Sequence, residues 1–259
     1  MTFYRYIIPR FLSFLVILLL VQKNDYFPIS SKSWQTLVNG QTLSGWQAQD
    51  PSKLHEWQTA LAISVNPQDN RFFVIEAGKG IFVNGKTGRT QNLVSQQKFA
   101  DIEAHIEFTV PHKSNSGIYL MGLYEVQVQD DFGTKDLLFS TCGGFYARKI
   151  WDGIELDWQR KGKWIDGTPP LVNACKRPGV WQTFDVKFRA PRFNSSGRKI
   201  QNAKFIEVKH NGILIHKNVE MLGPNSAHMP IVEAPKGPLM LQGDHGPVAY
   251  RNVRIRPLP

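Results

Sequence analysis

Two short stretches of the sequence carry residue types whose spacing could do chemistry. In Tyr124-Glu125-Val126-Gln127-Val128-Gln129-Asp130, a side-chain period of two sends Val126 and Val128 to one face and Glu125, Gln127 and Gln129 to the other. A row of one carboxylate and two amides suits the vicinal hydroxyls of a sugar. Asn115-Ser116-Gly117, just upstream, supplies a turn at the start of the neighbouring strand. An ordinary solvent-facing strand carries the same pattern, so spacing alone leaves both readings open. The second stretch, Leu241-Gln242-Gly243-Asp244-His245-Gly246-Pro247, reads as a tight loop that sets a histidine beside a carboxylate. Such a histidine can serve as general base, proton donor or metal ligand, and loops at sheet ends often carry function. A solvated turn is the alternative.

A third stretch, Gly153-Ile154-Glu155-Leu156-Asp157-Trp158, places two carboxylates on one strand face. It resembles the catalytic strand of laminarinase-like retaining glycosidases, whose nucleophile and acid/base stand about 5 Å apart. Gln159 and Arg160 follow Trp158 where that motif needs a third carboxylate, so an aromatic-rich surface hairpin is the stronger reading. The sequence has no Gly-x-Ser-x-Gly elbow, no phosphate-binding glycine loop and no His-Glu-x-x-His, which removes the main support for serine hydrolase, NTPase and zinc protease classes.

The elements that would position these residues are strands. Asp101 to Val110 alternates polar and apolar residues throughout, and Trp181 to Arg189, Ala203 to Val208 and Val248 to Ile255 are strand-like as well. His210-Asn211-Gly212 separates two such runs, and Asn-Gly in that position is the strongest short-range hairpin signal. No segment after residue 25 keeps a helical apolar period over three turns, and 16 Pro with 21 Gly break the chain often. Many short antiparallel strands predict an all-β sandwich or barrel. Without a repeat or a composition break, residues 30–259 read as one domain.

A formal charge of +10 arises from 31 Lys and Arg against 21 Asp and Glu, but the basic residues are scattered and no nucleic-acid motif accompanies them. No nucleic-acid partner is expected. Arg5 and Arg10 precede an apolar run from Phe11 to Val21, after which the chain turns polar at Gln22. That is the pattern of a secretory signal, and the run is short for a span of about 20 residues. Residues 1–25 are expected to be a signal peptide or an uncleaved N-terminal anchor. The domain is then exported, and membrane contact is limited to that segment. Cys142 and Cys175 are the only cysteines and could form one disulfide. Their spacing offers no zinc motif, because no Cys-x-x-Cys or ordered His pair accompanies them.

Taken in order, these motifs resemble one family. Leu37-Val38-Asn39-Gly40-Gln41-Thr42-Leu43-Ser44-Gly45-Trp46 is similar to the opening NG-x-x-L-x-GW of the 3-keto-disaccharide hydrolase domain family. The similarity continues through Asn115 to Leu120, Tyr124 to Val128, Gly167 to Ala174, Trp181 to Asp185 and Arg189 to Phe193. It closes with Leu241 to Pro247 and Arg251 to Leu258. Residues Asp136 to Ile165 match least. The resemblance implies a concanavalin-like jelly-roll β-sandwich of two antiparallel sheets, exported and acting on glycosides oxidised to a 3-ketone. A C3 ketone acidifies the C2 proton, so a base can remove it, expel the C1 substituent and let water add back. Among the matched positions, Glu125 and His245 are the candidates for proton transfer. Asn115, Gln127 and Gln242 would position hydroxyls, Tyr119 would stack or hydrogen-bond, and Arg189 would bind an oxygen. Asp244 would orient His245 or help to hold a divalent metal, though no pattern demands a cofactor. A jelly roll that binds carbohydrate without turnover is the competing class, since architecture alone cannot separate the two.

Overall fold

The computed structural model describes residues 33–150, 163–225 and 232–258. The N-terminal segment 1–25 and the Glu155 and Asp157 pair lie outside the described residues. The strands are β1 (Gln35–Val38), β2 (Trp46–Ala48), β3 (Gln58–Val65), β4 (Phe73–Val83), β5 (Leu93–Phe99), β6 (Ile102–Thr109), β7 (Asn115–Leu120), β8 (Tyr124–Gln129) and β9 (Arg148–Ile150). They continue with β10 (Lys163–Ile165), β11 (Gln182–Arg189), β12 (Arg192–Phe193), β13 (Lys199–Gln201), β14 (Ala203–His210), β15 (Ile213–Met221), β16 (Gly237–Leu241) and β17 (Ala249–Pro257). No helix occurs among the described residues.

Two antiparallel sheets form a jelly-roll sandwich. The larger runs β15-β14-β11-β6-β17-β4-β3, with β1 also paired to β17, and the smaller runs β2-β5-β16-β7-β8. Alternation builds the core between them. In β6 and β11, Ile102, Ala104, Ile106 and Phe108 and then Phe184, Val186 and Phe188 turn inward, with the polar residues between them half-buried on the other side. From the smaller sheet, Ile118 and Leu120 of β7 and Tyr124, Val126 and Val128 of β8 meet them in the same apolar cluster. Phe108 stacks on Phe184 at 4.9 Å, and Tyr124 of one sheet meets Phe188 of the other at 5.6 Å.

Chain order explains how distant residues become neighbours. The last two strands insert into the middle of the sheets, β16 between β5 and β7 and β17 between β6 and β4. The loop joining them crosses from one layer to the other and therefore ends up beside β7. The Asn211-Gly212 hairpin forms as its sequence predicts: both residues adopt left-handed φ, 51° and 80°, and His210 pairs with Ile213 across the turn. Cys142 and Cys175 are free thiols, so the disulfide open to them is not formed here.

Phe188 is fully buried and joins the layers through Tyr124. Phe188→Ala should therefore cost about 3–5 kcal/mol by leaving a cavity between the sheets. Urea unfolding followed by circular dichroism measures this, and a loss below about 1 kcal/mol would contradict the two-sheet packing.

Candidate active site

Residues on β7, β8 and β16 that do not enter the core face the opposite way, onto the outer side of the smaller sheet. Cross-strand pairing sets them in rows. Met240 of β16 is paired with Val94 of β5 and with Tyr119 of β7, and Tyr119 is paired with Glu125 of β8. Val94, Tyr119 and Met240 pack together as a small apolar floor. One step along, the Gln242 backbone N–H donates to the Gly117 carbonyl at 2.9 Å, and Gly117 is paired with Gln127. Asn115 and Gln129 form the next pair, with the Asn115 amide donating to Gln129 Oε1 at 2.8 Å.

Glu125 is only 5% exposed. Its carboxyl lies over Gly117, where an added Cβ would stand 2.3 Å from Glu125 Oε1 and 2.8 Å from the Tyr119 ring. Only a glycine leaves that gap. Burial pushes the Glu125 pKa up to about 8, against a hydrogen bond from Tyr119 and the charge of His245, which favour the ion; Asp244 adds to the rise. Tyr119 is raised well above its ordinary value, first by burial and then by the neighbouring Glu125. Its hydroxyl therefore stays protonated and donates. Gln242 Nε2 reaches that hydroxyl at 3.4 Å, and Gln127 Nε2 donates to Gln129 Oε1 at 3.3 Å.

The β16–β17 loop brings in the imidazole. His245 Nδ1 lies 2.6 Å from Asp244 Oδ1. An ionised carboxylate can only accept, so Nδ1 carries the proton of this pair. That hydrogen bond raises the His245 pKa, partial burial opposes it, and the charges of Asp244 and Glu125 add to the rise. Buried amides fix the loop. Asn84 Nδ2 donates to the carbonyls of Gly243 and Gly246 at 3.1 and 2.8 Å, and Asn84 Oδ1 accepts from Val248 N–H at 2.8 Å. Asn92 Oδ1 accepts from Gly243 N–H at 2.8 Å, and Arg89 donates to the Asp244 carbonyl at 2.9 Å.

The structure thus brings Asn115, Tyr119, Glu125, Gln127, Gln242, Asp244 and His245 to one outer face. Arg189 is not among them. It lies on the outer side of the larger sheet, where it donates to the Asn202 carbonyl at 3.1 Å and lines a separate cavity with Lys199 and Glu220. The alternation of β11 dictates this, because Phe188 fills the core and its successor must point away. Three contributors were not anticipated. Tyr146, whose pKa is raised by burial and then by the charge of Glu125, comes from the poorly matched stretch after Asp136. Asn225 accepts from the Glu125 backbone N–H at 2.8 Å and donates to the Tyr146 carbonyl at 2.8 Å. Asn84, buried within Val83-Asn84-Gly85, looks like one more turn residue in sequence.

A buried acid beside amides and an exposed imidazole, on the outer face of a two-sheet jelly roll, define a class of sandwich suited to handling carbohydrate. The chain belongs to the 3-keto-alpha-glucoside-1,2-lyase-like domain family, whose model matches residues 33–256. Its structure is similar to that of a "putative glycosyl hydrolase" from Parabacteroides distasonis ATCC 8503, with 26% identity, a TM-score of 0.59, and 87% of this chain and 84% of that chain covered. A second structure of the same description and organism shares the fold at 17% identity and a TM-score of 0.53, covering 88% of this chain and 100% of the other. No curated protein sequence matches the chain. The family and the first of these structures support a carbohydrate-active enzyme.

Folding buries Glu125 as the neutral acid, and this makes stability depend on pH. Below the ordinary carboxyl range both folded and unfolded chains are protonated, and the contribution is fully present. As pH rises towards about 8, the unfolded chain ionises first and stability is lost. Every tenfold preference of the folded protein for the neutral carboxyl is worth about 1.4 kcal/mol. Glu125→Gln, neutral at every pH, should match the wild type near pH 5 and exceed it by a few kcal/mol at pH 8 in urea unfolding. A gap that does not widen with pH would show that the carboxyl is not held neutral.

Proposed function

We propose that the protein cleaves 3-keto-glycosides, 3-keto-disaccharides among them, by elimination and hydration. The reading rests on one observation above the rest: a carboxyl buried on the outer side of the smaller sheet, its pKa pushed up to about 8, lies within reach of the charges of Asp244 and His245. In its ionised form Glu125 takes the C2 proton, which the C3 ketone has acidified. The electron pair of that C–H bond becomes the C1–C2 double bond as the C1–O bond breaks. The departing oxygen collects a proton from His245, whose pKa is raised by Asp244. Water then adds its oxygen at C1 and a proton returns to C2, so the net reaction is hydrolysis. A base with a pKa near the working pH suits this step.

The remaining residues bind and orient. Tyr119 and Met240 are buried and floor the site from beneath, and Asn115, Gln127 and Gln242 supply amides for the hydroxyls of a sugar. Tyr119 holds the Glu125 carboxyl in place through their hydrogen bond. Asp244 keeps the His245 imidazole in one tautomer, and the fit of a divalent metal beside it is not needed for any of these steps. Export of the domain belongs to the same proposal and rests on Arg5, Arg10 and the apolar run from Phe11 to Val21.

Incubation with a 3-keto-disaccharide should release monosaccharide, and Glu125→Gln should lower turnover by roughly 10²–10⁴. Sugar binding should change much less, since Gln keeps the size and reach of Glu. In the wild type kcat/KM should climb with pH on a limb near 8, because the base must lose its proton first, and that limb should be missing in the variant. Full activity in Glu125→Gln with loss in His245→Asn would move the base to the histidine. Sugar binding with no turnover by the wild type would instead favour a carbohydrate-binding module.

A further inference from the structure

Beyond the sugar-facing surface, the fold assembles a second group of reactive side chains that sequence spacing had not suggested. Cys142 follows β8 in a loop, Cys175 lies in the loop before β11, and His210 ends β14. Their ligand atoms all lie within 4.8 Å of one another. We propose that Cys142, Cys175 and His210 form a binding site for one thiophilic metal ion of the zinc class.

The hydrogen bonds around His210 support that assignment. Gln182 Oε1 already accepts from the Lys176 backbone N–H at 2.9 Å, which fixes that atom as the oxygen. His210 Nε2, also 2.9 Å from Gln182 Oε1, must therefore be the donor. Nδ1 is left with its lone pair, buried and without a hydrogen-bond partner among the described residues. A ligating histidine characteristically donates its second ring N–H to an oxygen in this way, which sets the tautomer and the ring orientation. The ring is fully buried, packs tilted against Phe184 at 4.6 Å and stacks on Phe108 at 5.8 Å, so it has little freedom to turn towards another partner. The tight turn that follows, Asn211-Gly212, fixes its place at the strand end.

The cysteines are held with equal care. Cys142 N–H donates to Asp131 Oδ2 at 2.7 Å, and Cys175 N–H donates to Asn173 Oδ1 at 3.0 Å. Asn173 Nδ2 in turn donates to the Asp131 carbonyl at 2.7 Å and joins the two loops. Two thiolates and an imidazole are the donor set that zinc and related soft ions prefer. Binding would release the two thiol protons to solvent. Cys142 is buried while Cys175 is partly exposed, so the Cys175 side is where an ion would enter. The ion would also brace the sugar-facing sheet, because Gly143 and Gly144, next to Cys142, pair with the Gln127 backbone at 2.7 and 2.9 Å.

Co²⁺ and Zn²⁺ added to the reduced, full-length protein test the proposal. One Co²⁺ per chain should bind with a sulfur-to-cobalt charge-transfer band, Zn²⁺ should displace it, and Zn²⁺ should raise the Tm by mass action. Cys142→Ala, Cys175→Ala and His210→Phe should each lose the band and the Tm rise; phenylalanine keeps the ring stack while removing both nitrogens. Should a variant fail to fold, the wild-type spectrum and metal stoichiometry still decide. Absence of binding by the reduced wild type would overturn the proposal. So would unchanged binding by His210→Phe, or a Cys142–Cys175 disulfide in protein recovered from an exporting host without reductant.

Discussion

Glu125 keeps a carboxyl group where almost no water reaches, and the surrounding strands must absorb the cost of desolvating it. The balance is visible in what surrounds it. Burial favours the neutral acid, while the Tyr119 hydroxyl and the His245 charge favour the ion, and Asp244 sets a limit on how far His245 can help. None of these could act without Gly117, since any side chain there would collide with the carboxyl. Gly117 is in the middle of β7, where glycine weakens a strand. The sheet tolerates this because β7 is paired on both sides, by β16 and β8. A titratable group poised near neutral pH is thus bought with local strand stability, which is how sites that move protons commonly differ from ordinary surface.

Much of the fold was legible because its strands alternate. β6 and β11 each bury every second residue deeply, and a pattern of period two can be read without knowing which strand lies alongside. The same rule sent Glu125 and Gln127 to one side of β8 correctly, although spacing alone favoured an ordinary exposed strand; it is exposure of only 5% and 2% that separates them from ordinary surface residues. Arg189 shows where motif reading fails. Its collinear match gave no information about which sheet β11 joins, and the alternation that Phe188 begins takes it to the far side of the molecule. Tyr146 and Asn225 were missed for a different reason. Both act through backbone placement beside the edge of β8, and nothing in a local sequence records which loop will close an edge. His210 is a third case, for its partners Cys142 and Cys175 are remote in sequence and only sheet order brings the three together.

The position of His245 follows from residues that need never touch a sugar. A loop with three glycine or proline residues has little preference of its own, and its backbone amides and carbonyls would otherwise be left without partners near the core. Asn84 just after β4 and Asn92 just before β5 answer them with four hydrogen bonds to Gly243, Gly246 and Val248. Each asparagine is buried, so losing one would strand polar atoms as well as free the loop. β4 belongs to the larger sheet and β5 to the smaller, which means that the loop is held by both layers at once. His245 is thus referred to both layers, whereas Glu125 sits on β8 of the smaller sheet. The charge interaction between His245 and Glu125 therefore joins a residue held by both sheets to one on β8, where the neighbouring Tyr124 packs against Phe188 of the larger sheet.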